Sequence, residues 1–264
     1  MALNWGSPEI HRMRKLLLFL FLFAVADAGA AESRRFAVLS LLGDKLLVAQ
    51  YAPTTGFQTE SGLQAFVSLD DNSFDKVVLQ SADAAIKMVD RTNTPVLLVA
   101  RDTSLYEAQM NLLNTGQSSK LLLEQMGPML RGSGATHLIL ATKIRRQARV
   151  QQLKDTFMGS GMLEGLGFYV DAGRATPATA DGPGLGGTPI LGPFAYFKLE
   201  LIDLARGEVV KQEEVVASKT YSNPGSSNAW ATLSNSEKIN ALQDIVRSET
   251  AKAIPVLLGL PRFK

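Results

Sequence analysis

Catalysis and metal binding draw on few side-chain types, and this chain of 264 residues is poor in them, with no cysteine and only two histidines, His11 and His137. It therefore has no thiol nucleophile, no disulfide and no cysteine-bearing zinc or iron–sulfur site. One histidine in the leader described below and one in a predicted strand give no His-x-x-x-His pair, so no metal site is expected. The glycines of Gly159-Ser160-Gly161-Met162-Leu163-Glu164-Gly165 resemble a nucleotide loop, but the third comes one residue too late for the dinucleotide pattern and no Gly-Lys-Ser/Thr follows. No cofactor is expected. Carboxylates near strand ends, Asp44 and Asp102, are the remaining candidates for acid–base work, and with them the chain would be a hydrolase.

A second set of residues points to binding. Phe157, Met158, Met162, Leu163, Leu166, Phe168 and Tyr169 are interleaved with small residues, and only two acids and no base lie between Met158 and Ala172. Methionine-bearing apolar segments softened by glycine adapt to partner surfaces, so these seven residues are the expected partner contacts. The alternatives are that they cover an open sheet face of the protein itself, or that a small apolar ligand is carried beneath them. Between Asp155 and Gly192 lie 10 of the 22 glycines, which reads as a Gly/Pro-rich insertion, a loop or irregular hairpin.

The elements that must position these residues follow from periodicity. Arg12, Arg14 and Lys15 precede an apolar run from Leu16 to Ala26, and Ala28-Gly29-Ala30 has the small-x-small pattern read by a signal peptidase. Residues 1–30 are thus expected to be a leader cleaved after Ala30, with Met13 as an alternative start, and residues 31–264 a single exported domain in the periplasm. The run is too short to span a bilayer, and no later segment is apolar enough to do so. With 27 Lys+Arg against 25 Asp+Glu the chain is near neutral, which excludes a broad nucleic-acid footprint. The one dense basic run, Lys143 to Arg149, alternates faces of a predicted strand and reads as a solvated face.

Phe36–Leu42 and Leu46–Tyr51 flank Gly43-Asp44-Lys45 and read as a hairpin. Phe74, Val77, Val78, Ala82, Ala85, Ile86 and Val89 form one stripe of a helix, and Val96–Ala100 reads as a buried strand. Helices over 104–114 and 118–131 precede a central strand over 136–144. Phe197, Leu199 and Leu201 alternate with Lys198 and Glu200, and Ala205-Arg206-Gly207 turns the chain into a second strand. Ser234 and Glu237 have capping-box spacing before a final amphipathic helix.

The block Gly43-Asp44-Lys45-Leu46 resembles the Gly-Asp-Ser-Leu block of a hydrolase family, with Lys45 where that family has its nucleophilic serine. Gly134-Ala135-Thr136-His137-Leu138-Ile139-Leu140, followed by Phe197–Ile202, Asp203-Leu204-Ala205-Arg206-Gly207-Glu208-Val209-Val210 and a closing helix, resembles the later half of envelope proteins related to CsgG, LpoB and the amino-terminal domain of TolB. Several of those proteins are lipoproteins, whereas this chain has no cysteine to acylate. The resemblance implies a mixed sheet with helices packed on it and a binding or assembly role, and it transfers no functional residue. The expectation is an α/β protein, with α+β as the alternative, that is not an enzyme and binds an envelope protein or a peripheral membrane partner.

Overall fold

A computed structural model describes residues 34–51, 63–69, 71–115, 120–153, 156–171, 189–223 and 226–261. The expected leader, its cleavage site and residues 172–188 of the expected insertion lie outside the described residues. In chain order the elements are β1 (Phe36–Ser40), β2 (Lys45–Tyr51), β3 (Leu63–Ser68), α1 (Ser73–Val89), β4 (Val96–Leu98), α2 (Thr103–Thr115), α3 (Lys120–Arg131), β5 (His137–Lys143), β6 (Arg145–Gln147), β7 (Val150–Leu153), β8 (Thr156–Met158), β9 (Met162–Asp171), β10 (Ile190–Asp203), β11 (Glu208–Ser218), β12 (Tyr221–Ser222) and α4 (Asn235–Leu257). The fold is α/β, built on a 10-stranded mixed sheet.

The long strand β10 organises that sheet. Along one edge it pairs with β11, from Phe194 opposite Ser218 to Asp203 opposite Glu208. Along the other edge it has two partners in succession: Ile190–Tyr196 lie against β9 and Phe197–Asp203 against β5. β9 and β5 therefore meet end to end, Gly165 opposite Tyr196 and Lys143 opposite Phe197. Beyond β5 come β1 and then β4, both parallel to it; beyond β9 come β2, parallel, and β3, antiparallel.

Alternation of side chains along β10 gives the sheet two different faces. Phe197, Leu199 and Leu201 join Val38, Ile139, Leu166 and Phe168 under α1 and α4, whose stripes include Phe74, Val78, Ile86, Leu242, Ile245 and Ile254. On the opposite face, Ile202 packs with Ala37, Leu39, Leu138 and Leu140 under α2 and α3 through Leu105, Tyr106, Leu122 and Met126. Farther along that face, Phe194 and Tyr196 pack with Leu47, Ala49, Tyr169, Ala148, Val150 and Leu163. The cover there is the excursion that leaves the sheet after Lys143 and returns at Gly165: β6 runs out beside the first residues of β9, and β7 pairs with β8.

The helices obey their sequence signals. α1 buries Phe74, Val77, Val78, Ala82, Ala85 and Ile86 as the stripe requires. α4 starts at a complete capping box, the Ser234 hydroxyl accepting from Glu237 N–H and the Glu237 carboxylate accepting from Ser234 N–H. Such a box contributes about 1 kcal/mol. Gly207, at φ 66°, closes the β10–β11 turn in a conformation that favours glycine.

Three strand expectations are corrected and one is narrowed. β1 and β2 do not form a hairpin; they run in the same direction one after the other, β1 beside β5 and β2 beside β9, so residues 41–44 carry the chain onward along the sheet instead of turning it back. β4 is an exposed edge strand, three residues long, rather than a buried one. Of the two readings of the insertion, loop or irregular hairpin, the described residues 156–171 and 189–192 follow the hairpin, β9 pairing antiparallel with the first half of β10. The basic run bends at Ile144 instead of continuing as one strand, so Lys143 is buried rather than solvated.

Two phenols tie the excursion to the sheet: Tyr169 Oη accepts from Ser160 N–H at 3.3 Å, and Tyr196 bonds both polar groups of the Arg149 backbone. Tyr196 Oη accepts from Arg149 N–H at 2.7 Å and donates to Arg149 O at 3.2 Å, while Ser218 Oγ also donates to that carbonyl. Tyr196→Phe strands the Arg149 N–H and should lower unfolding free energy by about 1–3 kcal/mol in urea titrations. An unchanged midpoint would show that the excursion is held otherwise.

Candidate functional site

The carboxyl ends of β1 and β5 lie side by side, and open α/β sheets bind ligands outside such ends. Here the ends are closed by a buried polar network. Asp75, in the first turn of α1, accepts through Oδ1 from Ser40 Oγ at 2.5 Å, Leu42 N–H at 2.8 Å and Gly43 N–H at 3.2 Å. Its Oδ2 accepts from the Tyr106 hydroxyl at 2.7 Å. A side chain on Gly43 would meet Asp75 Oδ2 at 2.6 Å, so the backbone approaches the carboxylate only because residue 43 is glycine. One turn along α2 from Tyr106, Gln109 donates to Leu41 O at 2.7 Å and accepts from Lys143 N–H at 2.8 Å, bridging the two strand ends.

Burial pushes the Asp75 carboxyl above its ordinary value, against the four hydrogen bonds from Ser40, Tyr106, Leu42 and Gly43. The Tyr106 hydroxyl is pushed up by burial and by Asp75. Lys143 is buried beside this network, its ammonium on Asp44 and on Lys45 O at 3.3 Å. Burial lowers its proton affinity and Asp44 raises it, with burial the larger effect. Gly165, at φ 63°, gives the Lys143 stem its room: a Cβ there would stand 2.7 Å from Lys143 Cδ.

Beside the network is a cleft of about 340 Å³. Gln109, Leu112 and Leu113 of α2 form one wall, and Ile144, Arg145 and Arg146 at the root of the excursion form the other. The floor is open sheet: Thr142, Lys198, Gln212 and Glu214. Along β10 the face passes from Phe194 and Tyr196 under the excursion, through Lys198 and Glu200, to Ile202 under the helices. Lys198, half-buried, lies in the gap between the two covers, and its partner Glu200 is buried. Arg145 places Nε and Nη2 on Glu164 Oε2 at 3.0 and 2.5 Å, Arg146 grips both oxygens of Glu214 at 3.2 and 2.6 Å, and Lys198 meets Glu200 at 2.7 Å.

The residues expected from sequence fall elsewhere. Of the seven partner-contact candidates, Leu163, Leu166, Phe168 and Tyr169 are buried on the two faces of β9 and cannot meet a partner. Met158 is half-buried, and only Phe157 and Met162, 45% and 46% exposed, reach the surface. The apolar alternation that read as an adaptable loop is that of a strand buried on both faces. Asp44 is held by Lys143, and Asp102 accepts from Ser104 N–H at 2.9 Å, a bond that lowers its proton affinity; neither lines the cleft. His137 starts β5, its Nδ1 2.9 Å from Thr136 Oγ1 and its ring edge-on to Phe36. Asp75, Tyr106 and Gln109 were passed over, although Asp75 stands in the apolar stripe of α1 three and seven residues before Val78 and Ala82.

No protein-family model matches the chain, and no curated protein matches it. Among solved structures, the PelC dodecamer from Paraburkholderia phytofirmans in space group P6 is 15% identical over 86% of this chain and 89% of that one, with a TM-score of 0.28. A point variant of the same dodecamer in space group C2 is 15% identical over 86% and 90%, with a TM-score of 0.25. Likeness at these scores carries no argument.

The Asp75 network yields a paired prediction. Asp75→Ala orphans Ser40, Tyr106 and two N–H groups and should cost about 3–5 kcal/mol, whereas Asp75→Asn keeps an acceptor oxygen and removes a buried charge. Because the folded Asp75 holds its proton more tightly than the unfolded, wild type is favoured relative to Asp75→Asn below the unfolded value near 3.8. That advantage should shrink as pH rises through the higher folded value. Urea titrations from pH 4 to 8 check the sign; a wild-type advantage that grows with pH would contradict it.

Proposed function

We propose that the protein is exported to the periplasm and works there by binding, rather than by catalysis, pairing an extended segment of another envelope protein with the open edge of its sheet. The observation that carries this reading is β3. Its six residues pair with β2 on one side, and all six are exposed, Leu63 at 73% and Phe66 and Val67 at 50% each. Among the described residues β3 has no strand on its other side. An edge with unpaired backbone groups and apolar side chains on both faces is the form used for strand addition, and proteins that do not use such an edge blunt it with charge or proline. β3 carries neither. Lys45 of β2 lies over the Phe66 ring at 4.6 Å and holds one anchor in place.

Two further features support the reading. The basic flank, apolar run and small-x-small site of residues 12–30 are those of a secretory leader. The blocks Gly134–Leu140 and Phe197–Val210, which carry the resemblance to envelope assembly proteins, are β5 with its approach and the β10–β11 hairpin, the centre of this sheet. No helix among the described residues is long and apolar enough to cross a membrane.

A photo-crosslinking residue at Leu63, used in whole cells, should give an adduct with a different envelope protein. Phe66→Asp and Val67→Lys should abolish it while changing monomer stability by no more than about 0.5 kcal/mol. Absence of an adduct, or one of only two copies of this chain, would contradict the reading.

A further inference from the structure

The cleft between α2 and the excursion is a second site, independent of β3. Its chemistry is set by donors that the protein leaves over. Thr142 is 4% exposed and lines the cleft, yet its hydroxyl has no hydrogen-bond partner among the described residues. A buried hydroxyl left unmatched costs stability, and such groups in native proteins are normally satisfied by protein, water or ligand. Beside it, Lys198 spends one of three ammonium donors on Glu200, and Arg145 directs Nε and Nη2 to Glu164 and Asn114, leaving Nη1 without a protein acceptor among the described residues. The Arg146–Glu214 pair is half-exposed and so is cheap to rearrange. Glu214 is the single carboxylate in a lining that also holds Lys198, Arg145 and Arg146.

We propose that this cleft binds a small polar anion, a carboxylate or phosphate held by Arg145, Arg146 and Lys198 with the Thr142 hydroxyl donating to it. The amide of Gln212 lies beside the anion and suits a hydroxylated body, while the apolar faces of Leu112, Leu113 and Ile144 close the sides. The volume, about 340 Å³, matches a molecule of one sugar-sized ring rather than a polymer segment. The cleft reaches the sheet because its covers part over Lys198.

The test uses inorganic phosphate and glucuronate as probes and glucose as the uncharged control, read by amide chemical shifts of the full exported chain. Either anion should shift Thr142, Arg145, Arg146, Lys198 and Gln212 at millimolar concentration, phosphate alone or glucuronate alone identifying the head group, and glucose should not. Thr142→Val removes a hydroxyl that has no partner among the described residues, so it should leave thermal stability unchanged or raised while weakening anion binding about fivefold. Arg146→Gln breaks a surface pair and an exposed bond to the Arg145 carbonyl and should weaken binding by at least as much. No shift at the cleft with either anion, equal shifts with glucose, or unchanged affinity in both variants would overturn the proposal.

Discussion

One arrangement shapes this protein: the second edge of β10 is shared by two strands laid end to end. On its first edge β10 pairs with β11 from Phe194 to Asp203 and with β12 at Ile190 and Leu191, but on the second the chain supplies β9 for the first half and β5 for the other. β5 and β9 run in the same direction along β10, so the residues between Lys143 and Gly165 are an insertion in what would otherwise be one continuous edge. The chain leaves the sheet at Lys143 and returns at Gly165, and the segment between them becomes a cover over the face it has just left. Unpaired backbone at such a break would be costly. Here Ile144 N–H reaches Tyr196 O and Gly165 N–H reaches Ile144 O, which closes the corner.

The polar interior follows from that corner. Lys143 ends β5 at the break, and its ammonium is buried on Asp44, whose position depends on the Gly43 turn held by Asp75. Asp75 is fixed by Ser40 at the end of β1 and by Tyr106, and Gln109 of the same helix joins the ends of β1 and β5. A fully bonded buried network of this kind rigidifies the elements that share it. It sets α2 at a fixed distance from the root of the excursion, and the space left between them is the cleft. The other candidate surface, β3, lies at the far end of the sheet beyond β9 and β2, where neither the helices nor the excursion extend their cover.

Much of the fold was legible. The stripe of α1, the capping box of α4, the buried β5 and the β10–β11 hairpin all follow from local periodicity and turn chemistry. Sheet order was not legible, because pairing between Phe36–Ser40 and His137–Lys143, a hundred residues apart, leaves no local trace. Proximity in sequence made β1 and β2 look like a hairpin. Glycine was legible only in part. The 10 glycines between Asp155 and Gly192 read as a loop or an irregular hairpin, and the described part is a hairpin of β9 and β10 with Gly165 and Gly167 inside β9, Gly165 giving way to Lys143 and Gly167 to the backbone of Leu47. The apolar residues between them read as partner contacts or as cover for the sheet, and four of the seven are core. Of the cleft, Lys198 was visible as a charge alternating into a strand with Glu200. That Lys198 faces a gap between two covers depends on contacts distant in sequence.

Two adjacent residues of β10 carry the central claim, since Tyr196 must lie against Gly165 of β9 and Phe197 against Lys143 of β5. Cross-strand nuclear Overhauser effects in an isotope-labelled sample test this most directly. Contacts from Tyr196 to Gly165 and from Phe197 to Lys143, with both residues also in contact with β11, are the expected result. Tyr196 and Phe197 both in contact with β9, or both with β5, would contradict it and remove the break from which the excursion and the cleft arise.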